Sequence, residues 1–243
     1  MPIPSKFSAS DLALCRSALY EALALGIMPP TDETVARLVA PEGVAALADA
    51  AAVLDEEAEG GLAAGVRRLA DAPGLDGLAA AYQRLFGHTA RGAVPPYETE
   101  YGADALFQPI HEMSDLVAFY RAFGLRLRAE AHERPDHVAC ECEFLAFLAR
   151  KEAYARDRDD AVMLAATEGA ARRFLRDHLG RWAPAFGGLL ARRDPDGFFG
   201  ALGALCVEFV GGECRRLGVP AGPDVLRLRS TALPAVPAAC GEP

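Results

Sequence analysis

The chain has 243 residues, of which 51% are hydrophobic and 24% are charged, a balance typical of a soluble globular protein. The formal net charge is −9, and an acidic surface repels phosphate backbones, so nucleic acid is excluded as an expected partner. We expect no stable membrane insertion, because no apolar run reaches the length of about 18 residues that a span needs. The N-terminus lacks the regions of a secretory signal, and the chain is expected to be cytoplasmic.

Helical periodicity begins near the N-terminus and continues through the first third of the chain. The first helix is expected to be capped by Ser10 and to stop at Gly26. A short helix follows in "TDETVARLV", and an alanine-rich helix is predicted over 42–58. Two further helices, separated by glycine residues, lead to Gly87. Proline, glycine and aromatic residues over 87–111 then predict an ordered loop.

Helical patterns resume after this loop and continue almost to the end of the chain. A helix is predicted from about Ser114 to Gly124, another over 135–156, and three more follow. We therefore predict one all-α domain of about ten helices without a sheet, over 1–226. Residues 227–243 are predicted to form a flexible tail.

The stretch "HERPDHVACECEFLAFLARKEAYA" contains the most concentrated polar groups. Pro135 suits the first turn of a helix, which would place Asp136 in that turn, where the helix dipole favours a carboxylate. The same dipole disfavours an imidazolium, so His137 is expected to be neutral and hydrogen-bonded. Glu141 lies four residues later, on the same face as His137.

Three roles remain open for this acid and histidine pair: a structural helix start, a binding site, or catalysis by His137 with Asp136 or Glu141. Metal binding is not expected, because Cys140 and Cys142 are two residues apart and point to different sides of a helix. The six cysteines include no CxxC pair, which favours buried reduced thiols. Motifs of nucleotide-binding proteins and serine hydrolases are absent.

A second candidate set combines aromatic, leucine and acidic side chains on both sides of the predicted loop. Its members are Tyr82, Leu85, Phe86, Tyr97, Glu98, Glu100 and Tyr101. Rings offer apolar contact area and carboxylates bind guanidinium groups, so this mixture suits an apolar peptide that carries arginine. Core packing of the first three residues and a solvated loop for the others are the alternatives.

Three stretches resemble the TorD/DmsD/NarJ family of chaperones. "YQRLF" resembles the aromatic-x-x-Leu-Phe motif of that family, "ERPDH" resembles its Glu-(Pro)-x-Asp-His motif, and "FLRDHLGRWAPAF" resembles its Phe-x-x-x-His-Leu-x-x-Trp segment. "FGHTARGAVPPYETEYG" and "FYRAFGL" are similar to the branch that serves the type II enzymes of the dimethyl sulfoxide reductase group.

The resemblance implies an all-helical protein with no catalytic activity and no cofactor of its own. Its expected partner is the apo catalytic subunit of a molybdenum oxidoreductase, bound through the twin-arginine signal peptide or the body of the subunit until the cofactor is inserted. Tyr82, Leu85 and Phe86 would line a groove for the apolar part of the signal, with Asp136 and His137 at its polar end. A permanent structural subunit is the alternative, and both monomer and homodimer are compatible with the sequence.

Overall fold

A computed structural model describes residues 6–58, 60–87, 92–103, 108–127 and 133–229. Within these ranges the chain forms one all-α domain without a sheet, which confirms the predicted fold class. The helices are α1 (Ala9–Ile27), α2 (Asp32–Leu38), α3 (Pro41–Ala58), α4 (Leu62–Arg67), α5 (Leu75–Phe86), α6 (Gln108–Ala122), α7 (Val138–Asp157), α8 (Ala161–Asp177), α9 (Leu179–Arg193) and α10 (Phe198–Leu217). None of them combines the length and apolar character that a membrane crossing needs.

The N-terminal cap of α1 differs from the prediction. The Ser8 hydroxyl accepts a hydrogen bond from the Asp11 N–H at 3.0 Å, and the Ser8 N–H donates to the Asp11 carboxylate at 3.1 Å. This reciprocal capping box satisfies two N–H groups, whereas Ser10 lies inside the helix and bonds Asp157. At the other end, α1 continues past Gly26 to Ile27.

Helix α1 packs along α7, and buried ions fix this contact. The Arg16 guanidinium lies 2.8 Å from the Glu152 carboxylate of α7 and 3.8 Å from Glu213 of α10. The Ser17 hydroxyl also donates to the Ala146 carbonyl at 3.1 Å. Breaking a buried ion pair leaves an uncompensated charge, so these contacts hold α1 against α7 in one register.

Helix α6 begins six residues earlier than predicted, at Gln108. Pro109 is the second residue of this helix, where a backbone N–H would have no intrahelical partner in any case. Pro109 was expected in the loop, and the connection before α6 is shorter than predicted because this residue is helical.

The segment after α10 is hydrogen-bonded to α9 at a carbonyl that Pro184 leaves free. Because proline has no N–H, the Gly180 carbonyl one turn earlier is free, and it accepts a hydrogen bond from the Gly222 N–H at 2.8 Å. A Cβ at residue 222 would approach the Arg181 carbonyl oxygen to 1.9 Å, so only glycine fits this crossing.

Residues 227–229, which were assigned to the flexible tail, are also held. The Arg229 N–H donates to the Glu100 carbonyl and the Gly102 N–H donates to the Arg227 carbonyl, both at 2.8 Å. The Arg229 side chain is buried and forms an ion pair with Glu112 at 2.9 Å. The fastened chain therefore reaches Arg229, and the rest of the predicted tail, 230–243, lies outside the described residues.

Candidate functional site

Asp136 is fully buried, and its carboxylate is saturated with hydrogen bonds. It accepts from the hydroxyl of Thr99 at 2.7 Å and from the Thr99 N–H at 3.3 Å. The Arg134 guanidinium donates to both of its oxygens, at 3.0 and 2.7 Å. Charge-assisted bonds of this kind offset the cost of burying the carboxylate and tie residues 134–136 to the loop that contains Thr99.

The start of α7 lies later in the chain than the sequence indicates. Residues 135–137 are not helical, because the backbone bridges Tyr97: the Val138 N–H donates to the Pro96 carbonyl and the Glu98 N–H donates to the Asp136 carbonyl, both at 2.9 Å. The prediction that Asp136 lies in the first helical turn is therefore wrong. Asp136 precedes the N-cap and is bound by side chains rather than by the helix dipole.

His137 is the N-cap of α7. Its Nδ1 accepts a hydrogen bond from the Ala139 N–H at 3.1 Å, so the proton of the neutral ring is on Nε2. Burial lowers the pKa of His137, against the opposing charges of Glu133 and Asp136. The expected neutral, hydrogen-bonded histidine is confirmed, although burial rather than the helix dipole is the first cause.

Glu141 is fully buried one turn further along α7. Its two carboxyl oxygens lie 3.2 and 3.3 Å from the indole N–H of Trp182. Burial, followed by the charge of Glu98, raises the pKa of Glu141 well above its ordinary value. Its hydrogen bond to Trp182 joins α7 to α9.

Tyr97 connects the buried residues to the surface. Its half-buried ring lies edge-on to the His137 ring at 5.2 Å, and the Arg134 guanidinium covers it at 4.4 Å. Its hydroxyl donates to the Glu133 carboxylate at 3.2 Å. Burial and the charge of Glu133 raise the pKa of Tyr97 to about 12, so the hydroxyl remains a donor.

Glu98 belongs to a buried ionic cluster beneath the loop. It lies 3.0 Å from Nδ1 of His178 and 3.2 Å from the Arg181 guanidinium, and Nε2 of His178 lies 3.2 Å from Asp115. Burial lowers the pKa of His178, but the hydrogen bonds and charges of Glu98 and Asp115 outweigh it and hold the pKa above 6.5. Burial also raises the pKa of Glu98, and His178 and Arg181 oppose that shift. The cluster joins the loop to α6 and α9.

The other two loop candidates also form hydrogen bonds within the domain. Tyr101 is buried against Trp182, with ring centroids 5.1 Å apart, and its hydroxyl donates to the Pro95 carbonyl at 2.9 Å. Glu100 is half-buried, and its carbonyl accepts from Arg229.

The three candidates on α5 divide into one accessible ring and two core residues. Leu85 and Phe86 are buried, and Phe86 packs edge-on against Phe199 of α10 at 5.5 Å. Tyr82 is half-buried and lies 4.8 Å from Phe86. Burial, then the charge of Glu133, raises the pKa of Tyr82 to about 12. Direct ligand contact by the predicted set is therefore open to its half-buried members, Tyr82, Tyr97 and Glu100, and a binding role for the whole set stays a prediction.

A groove of about 610 Å³ opens beside the start of α7, and Glu133 is part of its wall. One face of α7 forms its floor, the end of α1 forms one side, and the turn after α6 forms the other. We call it the α1–α7 groove, and its lining residues are Glu21, Met28, Tyr120, Leu125, Arg126, Leu127, Glu133, Ala139, Cys140, Glu143, Phe144, Ala146, Phe147 and Arg150.

Aromatic rings form the middle of the α1–α7 groove. Phe144 is buried and contacts the rings of Tyr120 and Phe123 at 5.2 and 5.6 Å. Phe147 is half-buried, 6.2 Å from Phe123, and part of its face remains open. Packed rings of this kind offer a rigid apolar surface to a ligand.

Charged groups lie at the two ends of this surface. Glu133 and Glu143 surround Cys140 near the start of α7, and with burial they raise the pKa of the Cys140 thiol to about 12. Further along α7, Arg150 pairs with Glu21 of α1. The groove therefore combines an acidic end, an aromatic middle and an ion pair.

Sequence reasoning missed this groove, although part of its signal was present. Cys140, Glu143, Phe147 and Arg150 recur at helical spacing and share one face of α7. The contributions of α1 and of the turn after α6 depend on contacts distant in sequence, which no local pattern shows.

Metal binding has no support within the described residues, where no group of three or more histidine, cysteine or acidic side chains could hold an ion. The five described cysteines are free thiols; Cys142, Cys206 and Cys214 are buried, whereas Cys15 and Cys140 are half-buried. Cys240 lies outside the described residues.

Comparison with known proteins places the chain in a family. A model of the family described as nitrate reductase delta subunit matches residues 41–187, more than half of the chain, and the chain belongs to this family. The resemblance to the TorD/DmsD/NarJ proteins is thereby confirmed.

Several curated relatives are similar to parts of the chain. The chlorate reductase assembly chaperone protein of Ideonella dechloratans is 40% identical over 88 residues, which are 36% of this chain and 41% of the relative. The selenate reductase assembly chaperone protein of Thauera selenatis is 39% identical over the same shares of each chain. The chaperone protein TorD of Vibrio cholerae serotype O1 is 29% identical over 135 residues, 55% of this chain and 59% of the relative. The chain thus matches about two to three fifths of the length of these relatives.

Replacing Asp136 should destabilise the fold. Asp136→Ala leaves Thr99 and Arg134 without their acceptor, which should lower the free energy of unfolding by about 2–4 kcal/mol. Urea denaturation followed by circular dichroism measures this change. Asp49→Ala, at an exposed position of α3, should change it by less than about 0.5 kcal/mol; equal effects of the two substitutions would contradict a structural role for Asp136.

The His178 cluster should make stability depend on pH. Because the pKa of His178 in the folded protein lies above its ordinary 6.5, protonation favours folding: its contribution is full below about pH 6.5 and is lost as pH rises through the folded pKa. The difference in unfolding free energy between the wild type and His178→Gln should therefore shrink from about pH 6 to about pH 9. A difference that is constant or grows over this range would show that His178 is not held as the cation.

Proposed function

We propose that this protein is an assembly chaperone for the catalytic subunit of a molybdenum oxidoreductase of the dimethyl sulfoxide reductase group. Membership of the nitrate reductase delta subunit family carries this proposal, together with relatives that are named as chlorate and selenate reductase assembly chaperones. We place its action in the cytoplasm, before export, and assign it to the branch that serves type II enzymes. Its role is to bind and hold the subunit, without catalysis.

We further propose that the α1–α7 groove binds the twin-arginine signal peptide of that subunit. Such a peptide joins arginine side chains to an apolar segment, and the groove joins two carboxylates, Glu133 and Glu143, to the half-buried ring of Phe147. Asp136 and His137 fix the start of α7, and the Tyr97 hydroxyl orients Glu133 through a hydrogen bond.

The affinity expected from this surface is moderate. Burying about 400 Å² of apolar peptide at roughly 25 cal/mol/Å² contributes on the order of 10 kcal/mol. Ordering a flexible peptide and losing its translational freedom offset much of that gain, which leaves a dissociation constant in the micromolar range. The charged contacts add discrimination more than strength.

Catalysis by His137 is the less favoured role. The imidazole is buried, its Nδ1 is occupied by the Ala139 N–H, and Glu141 is directed to Trp182. A permanent structural subunit would instead remain bound to its enzyme after export. Stoichiometric co-purification with the mature exported enzyme would therefore favour that alternative.

Calorimetric titration with a synthetic twin-arginine signal peptide tests this function. Wild-type protein should bind with micromolar affinity, and a peptide with lysine in place of the arginine pair should bind more weakly, because lysine cannot form the bidentate contact. Phe147→Ala should weaken binding by about tenfold, which corresponds to about 1.4 kcal/mol of lost apolar contact.

Tyr154→Ala is the matched control for this variant. Tyr154 is an exposed aromatic residue of the same helix that does not line the groove, so its removal should leave the affinity unchanged. If Phe147→Ala binds as tightly as the wild type while its circular dichroism is unaltered, the peptide binds elsewhere. No binding to any twin-arginine peptide would contradict signal recognition by this protein.

A further inference from the structure

The segment 223–229, which we call the strap, lies against the loop that contains Thr99. Among the residues of the strap, all of which the structure describes, Arg229 alone is buried. Val225 and Leu228 are 69% and 38% exposed, and Leu226 is half-buried. Because local stability depends on buried apolar contacts, we expect the strap to open more easily than the helices do.

The Arg229 guanidinium occupies a site in which each of its three nitrogens is bound. Two nitrogens donate to the two carboxylate oxygens of Glu112, at 2.9 and 3.1 Å. One of them also donates to the Thr99 carbonyl at 3.0 Å, and Nε donates to the Ala103 carbonyl at 3.1 Å. Acceptors arranged around a planar group in this way suit arginine, whereas the point charge of lysine cannot reach all of them.

The backbone beside this site pairs with the strap in antiparallel register. The Gly102 N–H donates to the Arg227 carbonyl, and the Arg229 N–H donates to the Glu100 carbonyl, both at 2.8 Å. These bonds involve no side chain, so an extended peptide of another sequence can form them equally well. The loop is therefore suited to an extended segment that carries arginine at the position of Arg229.

Departure of the strap would not leave the carboxylates beneath it without a cation. Arg181 lies 2.8 Å from Glu112 and 3.2 Å from Glu98, so each of them keeps a guanidinium partner. The Gly222 bond to the Gly180 carbonyl precedes the strap and would keep it close to the domain. An incoming arginine segment would replace the contacts of Arg229 one for one, so attachment to the chain is the main advantage of the strap over a competitor.

We propose that the strap is a displaceable internal ligand, and that the site of Arg229 binds an extended, arginine-carrying segment of the partner polypeptide when the strap leaves. This site differs from the α1–α7 groove, since Thr99, Ala103 and Glu112 are not among the residues that line the groove. That the segment belongs to the partner subunit rests on the proposed function, whereas the exchange itself does not.

Titration with a synthetic peptide that has the sequence of residues 225–229 tests the exchange in the full chain. Binding is followed by NMR at the Gly102 amide. Arg229→Ala should bind the peptide at least about tenfold more tightly than the wild type, in which the attached strap competes at an effective concentration of roughly millimolar. A peptide with lysine as its last residue should bind this variant at least about tenfold more weakly. Arg193→Ala removes the same charge at an exposed position and should bind like the wild type.

Equal affinity of Arg229→Ala and the wild type would overturn the proposal, and so would equal affinity of the arginine and lysine peptides. Failure of a folded Arg229→Ala chain to bind would overturn it as well. Twin-arginine peptide enters none of these measurements, so the exchange and the function of the groove can fail independently.

Hydrogen exchange of the wild type decides the question if Arg229→Ala does not fold. The Gly102 and Arg229 N–H groups should exchange at least about 100-fold faster than the Ala146 N–H inside α7, because the strap opens locally. Exchange as slow as that of Ala146 would show that the strap leaves only when the whole domain unfolds, which overturns the proposal.

Discussion

The buried carboxylate of Asp136 is the interaction on which the candidate site depends. It binds Thr99 on one side and Arg134 on the other, and the backbone bridge beside it holds Tyr97 against His137. These contacts fix where α7 begins and bring Glu133 to the edge of the α1–α7 groove. Burial of a charge is costly unless every lone pair is bound, and here that requirement ties two segments distant in sequence into one unit.

A second layer of buried polar groups supports this unit from below. Glu98 and His178 connect the loop to α9, Glu112 connects α6 to the fastened segment at Arg229, and Glu141 is bound to Trp182. Networks of this kind specify a single arrangement, because each partly satisfied alternative leaves a buried polar atom unpaired. The frame beneath the groove is therefore held in one arrangement, and binding to a preorganised frame limits the entropy lost.

Features that depend on neighbouring residues in the sequence could be predicted, whereas features that depend on contacts distant in sequence were missed. The all-α class and the neutral state of His137 follow from periodicity and from a polar group at a helix start, and both are confirmed. The first turn assigned to Asp136 was wrong, because Pro96 and Tyr97 pair with the backbone of 136–138 and delay the helix. Leu85 and Phe86 carry a family motif but lie in the core. The groove as a whole could not be predicted, since α1 reaches it through contacts distant in sequence, such as that of Arg16 with Glu152 of α7.

Photo-crosslinking of a twin-arginine signal peptide tests the central claim most directly. The peptide carries a photoreactive residue in its apolar segment, and mass spectrometry locates the attachment point on the full chain. The account predicts attachment within α7 around Phe147, or in the facing turn at 125–127. Attachment confined to Tyr82 and the end of α5 would contradict it.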